Sequence, residues 1–239
     1  MEPVLFYGVP GGCSLASIIA LEWLGQPYKL CRIEMLEQPW PAAFVRFNPR
    51  MKTPALRLGG GGGGASLTES AAILQHIGAR GVKQGLGFRQ GTLESDRLTE
   101  MLSYLTTDFF AAFAPLWKSY EGQGLGEERK QQMRAEGLAL VRHEFGHVER
   151  MLGERTWLLG GEAPTVADAY LFAVSRWADY HRLFDTQALF PAIHRHADRI
   201  RNSAAGRFAL GIEEGKNIRG GGAFRGHVTL DELAGALVA

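Results

Sequence analysis

The chain has 239 residues, 46% hydrophobic and 21% charged, enough apolar material for one large or two small cores, which excludes wholesale disorder. Lys and Arg number 26 against 25 Asp and Glu, a net charge of +1 with no dense basic stripe, so nucleic acid and anionic membranes are excluded in favour of small-molecule or protein partners. No basic leader with an apolar core opens the chain and no apolar run is long enough for a bilayer, so the expected location is cytoplasmic, with Cys13 and Cys31 reduced.

Val4 to Tyr7 reads as a buried strand, Pro10-Gly11-Gly12 as a turn, and Ser14 to Leu24 as a helix ended by Gly25 and Pro27. Cys13 thus falls at a helix start, where unpaired N–H groups and the positive end of the dipole favour a thiolate. A small buried cysteine in a tight turn is the alternative at that position. Tyr28 to Glu34 is a second strand, completing a right-handed parallel βαβ unit. Pro39 and Pro41 leave room for only a short helix before Phe47. Asn48-Pro49 marks a turn, and Thr53-Pro54 leads into a strand, Ala55 to Leu58, that pairs with Ala65 to Leu67. Between these two strands lie Gly59 to Gly64, a run without the Lys and Ser/Thr of a P-loop, which reads as a flexible loop. Ala71, Ile73, Leu74 and Ile77 mark a third helix, opened by Ser70 as an N-cap or as part of a carboxylate site.

This order makes residues 1–80 an α/β domain, with a glycine-rich linker over 81–91 and helices from Thr92 onward. Leu98, Met101, Leu102, Leu105, Phe109, Phe113 and Leu116 set the stripe of one long helix disturbed near its end by Pro115. Leu138, Val141, Phe145, Val148 and Leu152 set that of a helix over Glu127 to Leu152. Thr165 and Asp168 form a cap before a helix from Val166 to about Arg182, and Leu189 to Ser203 is one more. The all-α domain then spans 92–210. The tail, 211–239, is expected to be extended and then to form a capped helix, Thr229 to Leu237, that either packs back on the body or frays.

His143-Glu144-Phe145-Gly146-His147 fits the zinc-binding H-E-x-x-H spacing. Phe145, however, shares the buried stripe, which turns both histidines to solvent, and no third protein ligand can be named. The expectation is no metal.

Pro10-Gly11-Gly12-Cys13-Ser14-Leu15-Ala16, Asn48-Pro49 through Thr53-Pro54-Ala55-Leu56, Leu67-Thr68-Glu69-Ser70, and Val166-Ala167-Asp168-Ala169-Tyr170-Leu171-Phe172 with Arg176-Trp177 occur in that order. In this the chain resembles the cytosolic glutathione S-transferases, the bacterial beta class above all. The resemblance implies a thioredoxin-like N-terminal domain, an all-α C-terminal domain, a homodimer, and glutathione as cosubstrate. It implies a cis Pro54 that opens the Thr53 backbone to the cysteinyl part of glutathione, with Glu69 and Ser70 holding the γ-glutamyl end. Cys13 matches a cysteine that forms mixed disulfides with glutathione, and Phe110 and Trp117 line the site for a small hydrophobic electrophile. Asp168 is implied as a folding cap, outside the site.

The chain departs from that pattern at Phe110-Ala111, where the family carries His-Lys, and at Gln38, where it often carries lysine. The function implied is glutathione conjugation to hydrophobic electrophiles, or thiol–disulfide exchange through Cys13 with a mixed disulfide as substrate. An isomerase or dehalogenase on the same scaffold, or a non-catalytic ligand-binding protein, are the alternatives.

Overall fold

In a computed structural model, residues 2–37, 39–59 and 64–235 are described; Gln38, the glycines at 60–63 and the end of the expected tail helix lie outside them. β1 (Val4–Val9) and β2 (Tyr28–Glu34) pair in parallel from Val4 opposite Lys29 to Val9 opposite Glu34, joined by α1 (Leu15–Leu24). β3 (Ala55–Arg57) runs antiparallel to β1, and β4 (Ser66–Thr68) antiparallel to β3. Period-two alternation sends Val4, Phe6, Cys31 and Ile33 to one face, against Phe44 and Phe47, and Leu5, Tyr7 and Leu30 to the other, against α1. Each such fully buried large apolar side chain contributes about 1.5–3 kcal/mol. Among the described residues between β2 and β3, a 3₁₀ helix, Ala42–Arg46, follows Pro41.

α1 is buried around most of its circumference, as its nearly continuous apolar sequence requires. It lies between the sheet, α2 (Ser70–Arg80) and two helices of the C-terminal half, so the two halves share one core. The segment after α2 is pinned by the buried Leu86, whose carbonyl accepts the Val166 N–H at 3.0 Å.

The expected long helix is interrupted. α3 (Leu93–Tyr104) passes through a π turn, Leu105–Phe109, and a 3₁₀ turn, Ala111–Phe113, into α4 (Ala114–Glu121). Pro115 therefore opens a helix, where its missing N–H costs nothing, instead of disturbing the end of one. α5 (Glu127–Leu152) keeps its expected bounds, but its buried stripe begins with Met133 and Gly137, while Leu138 is only half-buried. A Cβ on Gly137 would lie 2.6 Å from Leu116, so glycine is what lets α4 and α5 approach. His143 and His147 are exposed, and the Glu144 between them accepts the Tyr104 hydroxyl at 2.6 Å.

α6 (Val166–Ser175) and the short α7 (Trp177–Tyr180) and α8 (Thr186–Leu189) lead to α9 (Pro191–Arg201) and α10 (Ala204–Glu213), the last of which runs past the expected domain end at 210. Asp168, fully buried, accepts from the Leu158 N–H, the Thr165 N–H and the Thr165 hydroxyl, at 2.8, 2.8 and 3.0 Å, and contacts His196 Nε2 at 2.9 Å. It is a folding cap, as the resemblance implies. The tail holds β5 (Phe224–His227), which adds to the free edge of β2 in parallel and gives a sheet ordered β4-β3-β1-β2-β5. α11 (Leu230–Gly235) then brings Leu230 and Leu233 onto the Phe6 face. Among the described residues no helix is long and apolar enough to cross a membrane.

Candidate functional site

The loop from β1 to α1 is held from both sides. The buried Ser14 hydroxyl accepts the Gly8 N–H at 3.0 Å, closing the loop on itself. From the helical half, Trp177 Nε1 donates to the Gly11 carbonyl at 2.7 Å and Arg176 Nη2 to the Gly12 carbonyl at 3.2 Å. Arg176 is in turn clamped by the Glu213 carboxylate at the end of α10. Gly8 admits the next element: a Cβ there would meet Thr53 Oγ1 at 2.3 Å, so glycine lets the Thr53 segment close on the end of β1.

The Thr53-Pro54 peptide is cis, and Pro54 is buried. Ahead of it the buried Asn48 organises the turn, donating from Nδ2 to the Lys52 carbonyl at 2.6 Å and accepting the Arg50 N–H at 3.0 Å. Glu69, exposed, holds φ at 70°, a left-handed conformation costly to a non-glycine residue, and pairs with Arg50 at 2.6 Å. Ser70, the first residue of α2, is buried with its hydroxyl 3.5 Å from Cys13 Sγ.

Cys13 lies outside the first turn of α1, which begins at Leu15 behind Ser14. The expectation that the helix start favours a thiolate is therefore corrected. Burial is the largest influence and pushes the thiol up, outweighing the lowering by the Ser70 hydroxyl, its own backbone and the Arg176 charge, while Glu69 adds to the rise. Cys13 is a half-buried free thiol that holds its proton more tightly than an ordinary cysteine. Tyr170 on α6 faces the same spot, interacting with Ser70 and Cys13, and burial keeps its hydroxyl protonated. Cys13, Ser70 and Tyr170 thus gather neutral S–H and O–H donors at the N-terminus of α2, where backbone N–H groups and the helix dipole favour an anion.

The π turn redirects the chain so that half-buried Phe110 packs on Trp177, ring centroids 5.2 Å apart. Trp117 stands edge-on to the same Trp177 at 5.2 Å and to His181 at 4.4 Å. Phe113 is fully buried beneath them. Structure thus brings Cys13, Ser70 and Glu69 together, sets Thr53 against the end of β1, and links Phe110 and Trp117 to the Cys13 loop through Trp177. Tyr170, Arg176 and Trp177 had no assigned role from sequence. Their one signal was position in the motif that runs from Val166 to Trp177.

Residues 12–80 match the glutathione S-transferase N-terminal domain and residues 101–204 the C-terminal domain of the same family. This chain belongs to the glutathione S-transferase family. Glutathione S-transferase GstA of Escherichia coli O157:H7 is 31% identical over 176 residues, covering 73% of this chain and 81% of that protein. Glutathione S-transferase GST-4.5 of Xanthomonas campestris is also 31% identical over 176 residues, covering 72% and 81%. Among solved structures, a sphingomonad glutathione S-transferase complexed with glutathione superimposes with a TM-score of 0.76 at 31% identity, covering 88% of this chain and 98% of that one. The bacterial beta-class glutathione S-transferase of Sphingomonas chungbukensis gives 0.75, also at 31% identity and with the same coverage. The α/β N-terminal and helical C-terminal halves are those of a glutathione S-transferase, and the chain is a glutathione-dependent transferase by family.

Proposed function

We propose that this transferase holds the γ-glutamyl end of glutathione at Glu69, Ser70 and the α2 N-terminus, and its cysteinyl backbone along Thr53-Pro54. The glutathione sulfur then lies beside Cys13, and a small hydrophobic electrophile packs on Phe110, Trp117 and Trp177. The observation that carries this reading is the 3.5 Å contact of Cys13 Sγ with Ser70 Oγ at a helix N-terminus. Both groups are neutral donors: Ser70 serves the γ-glutamyl end, and Cys13 stabilises the glutathione thiolate without competing with it as a base. The thiolate attacks the electrophile, a C–S bond forms as the leaving group departs with its electron pair, and the thiol proton is released to solvent.

Thiol–disulfide exchange is the second reading, supported by the partial exposure of Cys13. There Cys13, once deprotonated, attacks a mixed disulfide, and the thiolate it displaces leaves. The conjugating reading predicts that Cys13→Ala weakens glutathione binding by about tenfold, one hydrogen bond to a charged sulfur. It also predicts that conjugation of 1-chloro-2,4-dinitrobenzene survives at a reduced rate. A glutathione adduct on wild type, absent from Cys13→Ala by intact mass, with no conjugation by either protein, would replace this reading by exchange. Absence of glutathione binding in calorimetry would leave the non-catalytic binder. A homodimer and a cytoplasmic setting belong to the same proposal; light scattering at micromolar concentration showing a monomer would remove the former.

A further inference from the structure

The Gly12 carbonyl is held by Arg176, and Arg176 by the carboxylate of Glu213, the last residue of α10. That last turn of α10 is kept in place by the chain that follows it, beyond residue 204, where the family's C-terminal domain match ends. The Gly215 and Lys216 N–H groups fold back onto the Ile212 and Gly211 carbonyls at 3.1 and 2.8 Å. Ile218 then lies so close on Gly211 that a Cβ on the glycine would overlap its Cδ1 methyl. From there the segment is tied to the N-terminal half. The Gly221 N–H donates to one oxygen of Glu22 on α1 at 2.7 Å, and the other oxygen accepts the Tyr28 hydroxyl, also at 2.7 Å. As β5 begins, the Tyr28 N–H donates to the Ala223 carbonyl at 3.1 Å, and Phe224 packs on Phe208 of α10 with ring centroids 5.3 Å apart.

We propose that this tail positions the Cys13 loop, with Ile218 and Glu213 as positioning residues that act through Arg176. A helix end frays unless its last carbonyls find donors, and here the donors come from Gly215, Lys216 and Arg32 of β2. With the tail seated, Glu213 is fixed, and the Arg176–Glu213 pair, more than four-fifths buried on both sides, passes that constraint to the Gly12 carbonyl. The planar guanidinium fork makes the link stiff, since it cannot follow a shifted carboxylate and keep its bond to Gly12. With the tail off its seat, the end of α10 loosens, and Gly12 and the adjoining Cys13 loosen with it. The tail thus acts on the glutathione side of the site, a consequence that rests on the glutathione placement proposed above.

Iodoacetamide alkylation of Cys13, followed by mass spectrometry on the full chain, reads the loop without glutathione; steady-state kinetics with 1-chloro-2,4-dinitrobenzene reads it with glutathione. Ile218→Ala should speed alkylation about fivefold and raise the KM for glutathione by a similar factor, with kcat and the KM for the electrophile unchanged. Ile218→Leu, which keeps a terminal methyl over Gly211, should restore both. Glu213→Gln should reproduce the pattern, and the double variant should show no more than the larger single effect, because both residues act through Arg176. Val148→Ala, in the buried stripe of α5, lowers stability away from the tail and should leave both readouts at wild-type values. Unchanged alkylation in Ile218→Ala, additive effects in the double variant, or equal acceleration in Val148→Ala would each overturn the proposal. Faster alkylation in the tail variants with no glutathione binding to the wild type would remove the glutathione placement and leave the tail's hold on the loop standing.

Discussion

Cys13 shows how one residue's chemistry is decided by its neighbours. The thiol is held up by burial and drawn down by Ser70, so alkylation by iodoacetamide should follow a pH profile with its midpoint above the free-cysteine value of about 8.5. Ser70→Ala removes the lowering hydrogen bond and should move that midpoint further up; mass spectrometry of the Cys13 peptide against pH reads both. A midpoint below 8.5 would mean that the thiolate is favoured after all. The sequence displays Cys13 and its helix, and the resemblance singles out Ser70 and Glu69. Neither displays that α1 starts one residue later, at Leu15, or that Tyr170 and Arg176 reach the same point from more than 150 positions away. Those contacts come from packing between halves of the chain, which leaves no local periodicity to read.

At the level of elements, amphipathic stripes with a steady period are legible and their interruptions are not. α5 keeps its sequence-derived bounds, yet Gly137 is invisible as a core residue because a glycine carries no apolar side chain. The break between α3 and α4 is hidden for a different reason: Leu105, Phe109 and Phe113 stay buried at four-residue spacing while the backbone widens and tightens beneath them. Capping chemistry is more local and so more legible. Asp168 joins the start of α6, the Leu158 turn and His196 of α9 in one buried set of hydrogen bonds. Asp168→Ala would strand two backbone N–H groups and an imidazole, each at about 1–3 kcal/mol. It should cost at least about 3 kcal/mol, read as a lower urea midpoint with unchanged m-value. Asp168→Asn keeps two acceptor directions on one oxygen only and should lose less.

Across the whole molecule, the two halves meet at the Cys13 loop. Arg176 carries the Gly12 carbonyl on one side and Glu213 on the other, with both side chains of the pair more than four-fifths buried. Removing the cation leaves a buried carboxylate without its partner, so Arg176→Met should cost about 3–5 kcal/mol. It should also slacken the loop, raising the KM for glutathione; a stable variant with wild-type KM would show that the loop is held without Arg176. The tail was the least legible part of the chain. Phe224 to His227 contains one strongly β-forming residue, and its strand exists because β2 offers a free edge that only the folded sheet defines.

That tail also sets how stability responds to alkaline pH. Cys31, buried on the Phe6 face beneath Leu230 and Leu233, is pushed up to about 12 by burial and by the Glu232 charge, and burial pushes Cys13 and the Tyr28 hydroxyl up as well. In the unfolded chain the thiols lose their protons near pH 8.5, so above that point the unfolded state binds fewer protons than the folded one. Stability then falls as pH rises, by up to about 1.4 kcal/mol per pH unit for each thiol, until the folded thiol itself ionises. Urea midpoints measured from pH 7 to pH 10 should be level at first and decline above about 8.5. Cys31→Ala should flatten part of that decline while losing a little stability at pH 7 to the small cavity it leaves. A midpoint that stayed level to pH 10 in the wild type would mean that Cys31 reaches solvent, and hence that α11 does not stay seated on the sheet.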